Sequence, residues 1–249
     1  FAILPVFNIT HPENGDVVIA EDPYNITWTK AGIGVNNVTL QYSTDQGGNW
    51  SYVVTTGDNT VPNTGTYFWN PVPGTVLSQY SKVRITYPGN VNATDTGYSY
   101  FDLRGAISVS APSGGESWDL ATNHSINWTR KGNIAGVDIS YSWNNGTNWT
   151  TLAAGVTASN LTWLWNISTD TQTTTLGKVK VADSSNAEVV YGTSAGTFGI
   201  KGKLTLNTPS APATVLTYGA SPYNITWSTF GTIANVEVRY STDGTTWPA

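Results

Sequence analysis

The chain repeats itself at an interval of about one hundred residues, and that repeat limits the possible architectures more than any other feature. Placing Pro12-Glu13-Asn14-Gly15-Asp16 above Pro112-Ser113-Gly114-Gly115-Glu116 brings Ile26-Thr27-Trp28 onto Ile126-Asn127-Trp128. Further along, Val38-x-Leu40-x-Tyr42-Ser43 meets Val137-x-Ile139-x-Tyr141-Ser142, and Asn49-Trp50 meets Asn148-Trp149. Trp69-Asn70 then meets Trp165-Asn166, and Lys82-Val83-Arg84-Ile85 meets Lys178-Val179-Lys180-Val181. The units close on Phe101-x-Leu103-Arg104-Gly105 and Phe198-x-Ile200-Lys201-Gly202. A third copy opens at Leu204 and carries Ile225-Thr226-Trp227, Val236-x-Val238-x-Tyr240-Ser241 and Trp247.

Matched positions alternate apolar and polar with period two, so the chain is expected to be all-β with one buried face per strand. Each unit offers about seven short strands between Gly, Asn, Asp and Pro turns, which fits an immunoglobulin or fibronectin type III sandwich. Propeller blades, at about 40 to 50 residues, are too short for this period. The expected organisation is an elongated tandem array. Residues 1–6 match the closing strand of a preceding domain, 7–105 and 106–202 form full domains, and 203–249 form a partial third. Trp28, Trp128 and Trp227 fall on the inward phase, and Trp50, Trp149, Trp69, Trp165 and Trp163 are also expected in the core. Trp143 has Thr44 as its counterpart and lies at a turn, so it is the expected exposed ring and the candidate contact for a sugar.

The motif Pro-x-x-Gly-[Asp/Glu], Ile-x-Trp, Val-x-[Leu/Ile]-x-Tyr-Ser resembles the immunoglobulin-like repeat of yeast cell-wall-synthesis and Ser/Thr-rich GPI-anchored proteins and of repetitive microbial surface proteins. The resemblance implies a fold and a cell-surface habitat, and it brings no catalytic residue. Separately, Ser43-Thr44-Asp45-Gln46-Gly47-Gly48-Asn49-Trp50 resembles the Asp-box of sialidases and other propellers, with Asn144 and a shortened Ser241–Trp247 turn as departures. That turn is structural: the acid bonds to turn amides, Gly takes positive φ and Trp tucks beneath. Arg84, Arg104, Arg130 and Arg239 are dispersed, not gathered around a substrate carboxylate, so sialidase chemistry is not expected.

No enzyme is expected. His11 and His124 are not repeat-equivalent and lack partners at metal spacing, the acids are scattered, and no phosphate-binding loop occurs. With no Cys, thiolate and disulfide chemistry are excluded. No cofactor or metal is expected. A net charge of -5 with no basic stripe argues against nucleic acid, and the apolar run Phe1–Phe7 is too short to span a membrane. The absence of Met suggests a processed leader or a window on a longer chain.

Twelve N-x-[ST] sequons occur, at Asn8, Asn25, Asn37, Asn49, Asn92, Asn123, Asn127, Asn145, Asn148, Asn160, Asn166 and Asn224. Chance gives about five or six for this composition. Asn25, Asn37 and Asn127 sit on the outward phase of their strands, as expected for a dense coat of covalent N-glycans on an extracellular, secreted or cell-surface protein. Asn and Thr as the plain polar half of Thr-rich strands is the simpler alternative. The two ends suggest either a segment of a longer array or subunits joined head to tail as a homopolymer. In the second case Phe1, Ile3, Leu4 and Val6 are donated as a strand to an unfinished third domain. The leading functional expectation is a structural filament or surface-layer subunit. The alternative is a carbohydrate-binding or adhesive module contacting cell-wall polysaccharide.

Overall fold

The computed structural model describes residues 3–209, 219 and 222–247. The protein is all-β, with tandem β-sandwiches built on one strand plan. In the first sandwich one sheet has the order β1-β3-β7, formed by Val6–His11, Tyr24–Ala31 and Thr66–Trp69. The facing sheet has the order β2-β10-β8-β4-β5, formed by Val17–Ile19, Phe101–Arg104, Ser78–Tyr87, Asn37–Ser43 and Ser51–Tyr52. Two short strands complete it: β6 (Thr60–Pro62) pairs with β4, and β9 (Asn90–Thr96) pairs with β8. The β2–β10 pairing is parallel, and every other pairing is antiparallel.

The second sandwich repeats this plan. Its small sheet is β11-β13-β16, from Ala106–Ala111, Asn123–Lys131 and Thr162–Asn166. Its large sheet is β12-β19-β17-β14-β15, from Ser117–Asp119, Phe198–Lys201, Thr174–Asp183, Gly136–Ser142 and Thr150–Thr157. Strand β18 (Tyr191–Thr193) pairs with β17. The strand count exceeds seven per unit because the two outermost paths of the large sheet break into pieces. In the first unit β5 and β6 share the edge that a single β15 covers in the second.

The register repeats residue for residue. Ile9 faces Trp28, Val109 faces Trp128 and, in the third unit, Leu206 faces Trp227. One residue past each pair the ladder is interrupted, and each first strand ends at a cis X–Pro bond before Pro12, Pro112 or Pro209. That third unit contains β20 (Lys203–Thr208) and β21 (Thr226–Phe230), the only two strands it has among the described residues.

Each complete sandwich has its own core. Ile26, Trp28, Val38, Leu40, Trp69, Val83, Ile85 and Phe101 fill the first. Ile126, Trp128, Val137, Ile139, Trp165, Val179, Val181 and Phe198 fill the second. These are the inward positions of the period-two pattern, where each strand's apolar half leaves water and provides the main driving force. The buried Trp28 indole donates to Asn63 Oδ1 at 2.9 Å and Trp128 to the Ala158 carbonyl at 3.1 Å, so neither polar N–H is left unpaired.

Trp50 and Trp149 depart from the expected core placement. Both are half-buried and lie over the outer surface of the large sheet, beneath Arg84 (4.3 Å to the ring centre) and Lys180 (5.1 Å). Cation–π attraction and the aliphatic stems above the rings replace core packing there. Trp163 is half-buried instead of core, and Trp227 is 40% exposed.

Candidate functional site

The hairpin turns recur in all three units, with the third one residue shorter. Ser43 Oγ donates to Asp45 Oδ1 at 2.7 Å, and the Gly47 amide donates back to Ser43 Oγ at 2.8 Å. The Asn49 amide donates to Asp45 Oδ1 at 2.8 Å, closing the loop. Ser142, Asn144, Gly146 and Asn148 reproduce it with bonds of 2.8–3.0 Å, and Ser241 with Asp243 reproduces it again. Gln46 and Gly47 both have positive φ, as do Asn145 and Gly146. A Cβ on Gly47 would come within 3.3 Å of the Trp50 ring, and one on Gly146 within 3.3 Å of Trp149. The turn is therefore scaffolding. The Asn49 backbone amide, the Ser43 hydroxyl and the Asn49 side chain hold Asp45 down to about 2, from 3.8.

Each histidine has its own local partner. His11 Nδ1 lies 2.8 Å from Asp16 Oδ2, and this bond raises its pKa. His124 stacks on Trp118 with centroids 4.3 Å apart, and burial lowers its pKa. Among the described residues no group of three or more His, Cys, Asp or Glu could hold a metal ion, and no helix is long and apolar enough to cross a membrane.

The junctions between units are built alike, and sequence reasoning missed their side-chain contacts. Only Gly105 separates β10 from β11. A Cβ on Gly105 would lie 2.6 Å from the Lys131 carbonyl, and one on Gly202 would lie 2.9 Å from the Phe230 carbonyl. The loop after β13 docks on the end of the first sandwich: the Asn133 amide donates to the Gly74 carbonyl at 2.8 Å and the Gly132 amide to Glu21 Oε1 at 3.1 Å. Lys131 pairs with Asp22, and Leu77 packs against both cores. At the next junction Gly231 takes the place of Gly132, against Leu120 and Thr173, while Phe230 packs on the second core. The signal was present in sequence as the recurring Gly105/Gly202 and Gly132/Gly231, but their partners come from loops with no periodicity.

The third unit exposes what the others bury. Trp227 is 40% exposed where Trp128 is 1%, Val238 is 51% where Ile139 is 0%, and Tyr240 is 74% where Tyr141 is 4%. Leu204, Leu206, Ile225 and Trp247 are exposed beside them. At the other end Ile3, Leu4 and Val6 are also exposed. Val6 is the first residue of β1, paired with Ala31, and Pro5 lies against Gly32. Phe1 lies outside the described residues.

Of the sequon asparagines, Asn8, Asn25, Asn37, Asn49, Asn92, Asn123, Asn145, Asn148, Asn160, Asn166 and Asn224 are exposed. Asn127 is half-buried and accepts from Thr162 Oγ1 at 2.7 Å. Trp143 is exposed, just past the end of β14.

No protein-family model and no curated protein matches the chain. Solved structures similar to it include fibronectin(III)-like modules of Clostridium thermocellum CbhA, at 10% identity over 78% of this chain and 95% of that one, with a TM-score of 0.26. The FN1-FN3 domains of chicken CNTN1 align at 16% identity over 79% of this chain and 66% of that one, with a TM-score of 0.31. The titin fragment Titin-A168169 aligns at 10% identity over 80% and 100%, with a TM-score of 0.34. The fold assignment rests on the strand pairing itself.

Proposed function

We propose that the protein is a structural subunit of an extracellular filament or cell-surface layer, N-glycosylated, in which copies assemble head to tail. One observation carries this reading: Leu204, Trp227 and Val238 of the third unit are exposed, although their counterparts form the cores of the first two. Exposed apolar side chains beside a strand edge are a place where a further extended segment can add. The natural occupant is an extended apolar segment added as a strand, with backbone bonds supplying affinity and alternate side chains filling the vacant core. Ile3 and Leu4 are exposed, apolar and precede the first ladder bond of β1, so they are available for that role.

The exposed sequon residues support a glycan coat, which would shield strand edges along the array from unspecific pairing. A head-to-tail contact does not close on itself, so repeated use yields a filament.

Imaging the native material and the purified chain by electron microscopy tests the reading. The full chain is expected to form filaments, and removal of residues 1–4, which spares β1, is expected to abolish them while both complete sandwiches stay folded. Filaments of normal length from the shortened chain would overturn strand donation; a full chain that stays monomeric at all concentrations would overturn the filament. Enzymatic or chemical deglycosylation should lower the intact mass of the native protein, and an unchanged mass would remove the glycan coat from the account.

A further inference from the structure

The second sandwich carries a cleft of about 640 Å³ between its two sheet edges, within the size range of small-ligand sites. One edge is β16, which contributes Trp163 and Asn166; the other is the start of β15, with Trp143 at the mouth. The loop after β16 adds Asp170, Thr171 and Gln172. Beneath lie Tyr141 and Trp165, both buried, with ring centres 4.9 Å apart. Tyr141 donates its hydroxyl to the Gln172 carbonyl at 3.0 Å, and Thr174 Oγ1 donates to the Trp143 carbonyl at 2.6 Å, so floor and rim are both anchored.

The repeat supplies an internal control. At the positions of Trp143 and Trp163 the first sandwich has Thr44 and Tyr67, and it folds on the same plan. The strand plan therefore does not require an indole at either position; Trp163 packs on the second core as well, and both rings line one cleft. Trp143 is exposed and Trp163 half-buried, so both indoles keep surface open to the cleft.

We propose that this cleft binds a neutral oligosaccharide. Indole faces attract the polarised C–H faces of pyranose rings, and the surrounding carboxylate, amides and hydroxyls offer acceptors and donors for sugar hydroxyls. Among the described residues Asp170 is the only charged group in the lining, so the cleft disfavours uronic or sialic acid chains relative to uncharged ones. The site is independent of how copies of the chain assemble.

The test is titration of the full chain produced in a host that adds no N-glycan, so that Asn166 in the lining stays an unmodified amide. Tryptophan fluorescence is followed against cellohexaose, xylohexaose, mannohexaose and laminarihexaose, with hexagalacturonate as the acidic comparison. At least one neutral hexaose is expected to bind, and Trp143→Thr and Trp163→Tyr, each the residue of the first repeat, are expected to weaken it tenfold or more. Trp143 is exposed, so Trp143→Thr should leave the unfolding temperature unchanged, and this variant decides the matter if Trp163→Tyr unfolds. Three results would each overturn the proposal: no neutral hexaose binding up to about 10 mM, undiminished binding by Trp143→Thr, or equal binding of hexagalacturonate.

Discussion

Asp45 and Asn144 hold the same place in equivalent turns but respond differently to acid. Asp45 is held at about 2 by amide and hydroxyl donors, so the stability its charge contributes is present above pH 3.8 and is lost as pH falls toward 2. Asn144 makes the same backbone bonds without a charge to lose. The stability difference between the native protein and Asp45→Asn is thus expected to be largest above pH 4 and to shrink below pH 2, as measured by calorimetry across that range. A difference that does not vary with pH would contradict this. Core tryptophans act on a larger scale: Trp128→Ala should cost about 3–5 kcal/mol in chemical denaturation, because it empties the centre of the second core. Residues of this kind were legible in sequence, since alternation within a strand assigns a face. Trp50 and Trp149 were not, because alternation does not carry through the Gly-containing turn that precedes them. Trp163 shares the inward phase of Trp165, but phase reports the face of a sheet and not the depth at its edge.

At the scale of elements, the junction leaves little room for change. Gly105 leaves no room for a side chain beside the Lys131 carbonyl, so Gly105→Ala must shift backbone and is expected to cost about 1–3 kcal/mol. Small-angle scattering should register a change in the arrangement of the two sandwiches in the same variant; unchanged stability and scattering would show that the junction is loose. Leu77→Ala should weaken both sandwiches together, because Leu77 packs on both cores, whereas the exposed Lys131–Asp22 pair should contribute under about 1 kcal/mol. The strand plan was readable from repeat and alternation. The splitting of the outer edge into β5 and β6 was not, because edge strands answer to loop length and not to a buried face. The junction contacts and the cleft were equally hidden, since both are made by loops brought together from distant parts of the chain.

For the whole molecule, the three units share register, and the described residues of the third leave exposed several apolar positions that the other two bury. In dilute monomer Trp227→Ala should cost less than about 1 kcal/mol, because that ring is already open to water. In assembled material the same change should cost several kcal/mol of assembly stability, approaching that of Trp128→Ala, because those positions are then a core. The absence of cysteine makes a direct trap possible. Ile3→Cys is combined in turn with Val236→Cys, Val238→Cys and Tyr240→Cys, and each protein is oxidised and run under denaturing, non-reducing conditions. Disulfides form only where backbones approach within about 7 Å. Head-to-tail strand donation predicts a ladder of covalent oligomers for at least one pair, and none for any single-cysteine control beyond a dimer. Monomers alone for every pair would contradict the proposal that the N-terminal segment of one copy adds to the third unit of the next.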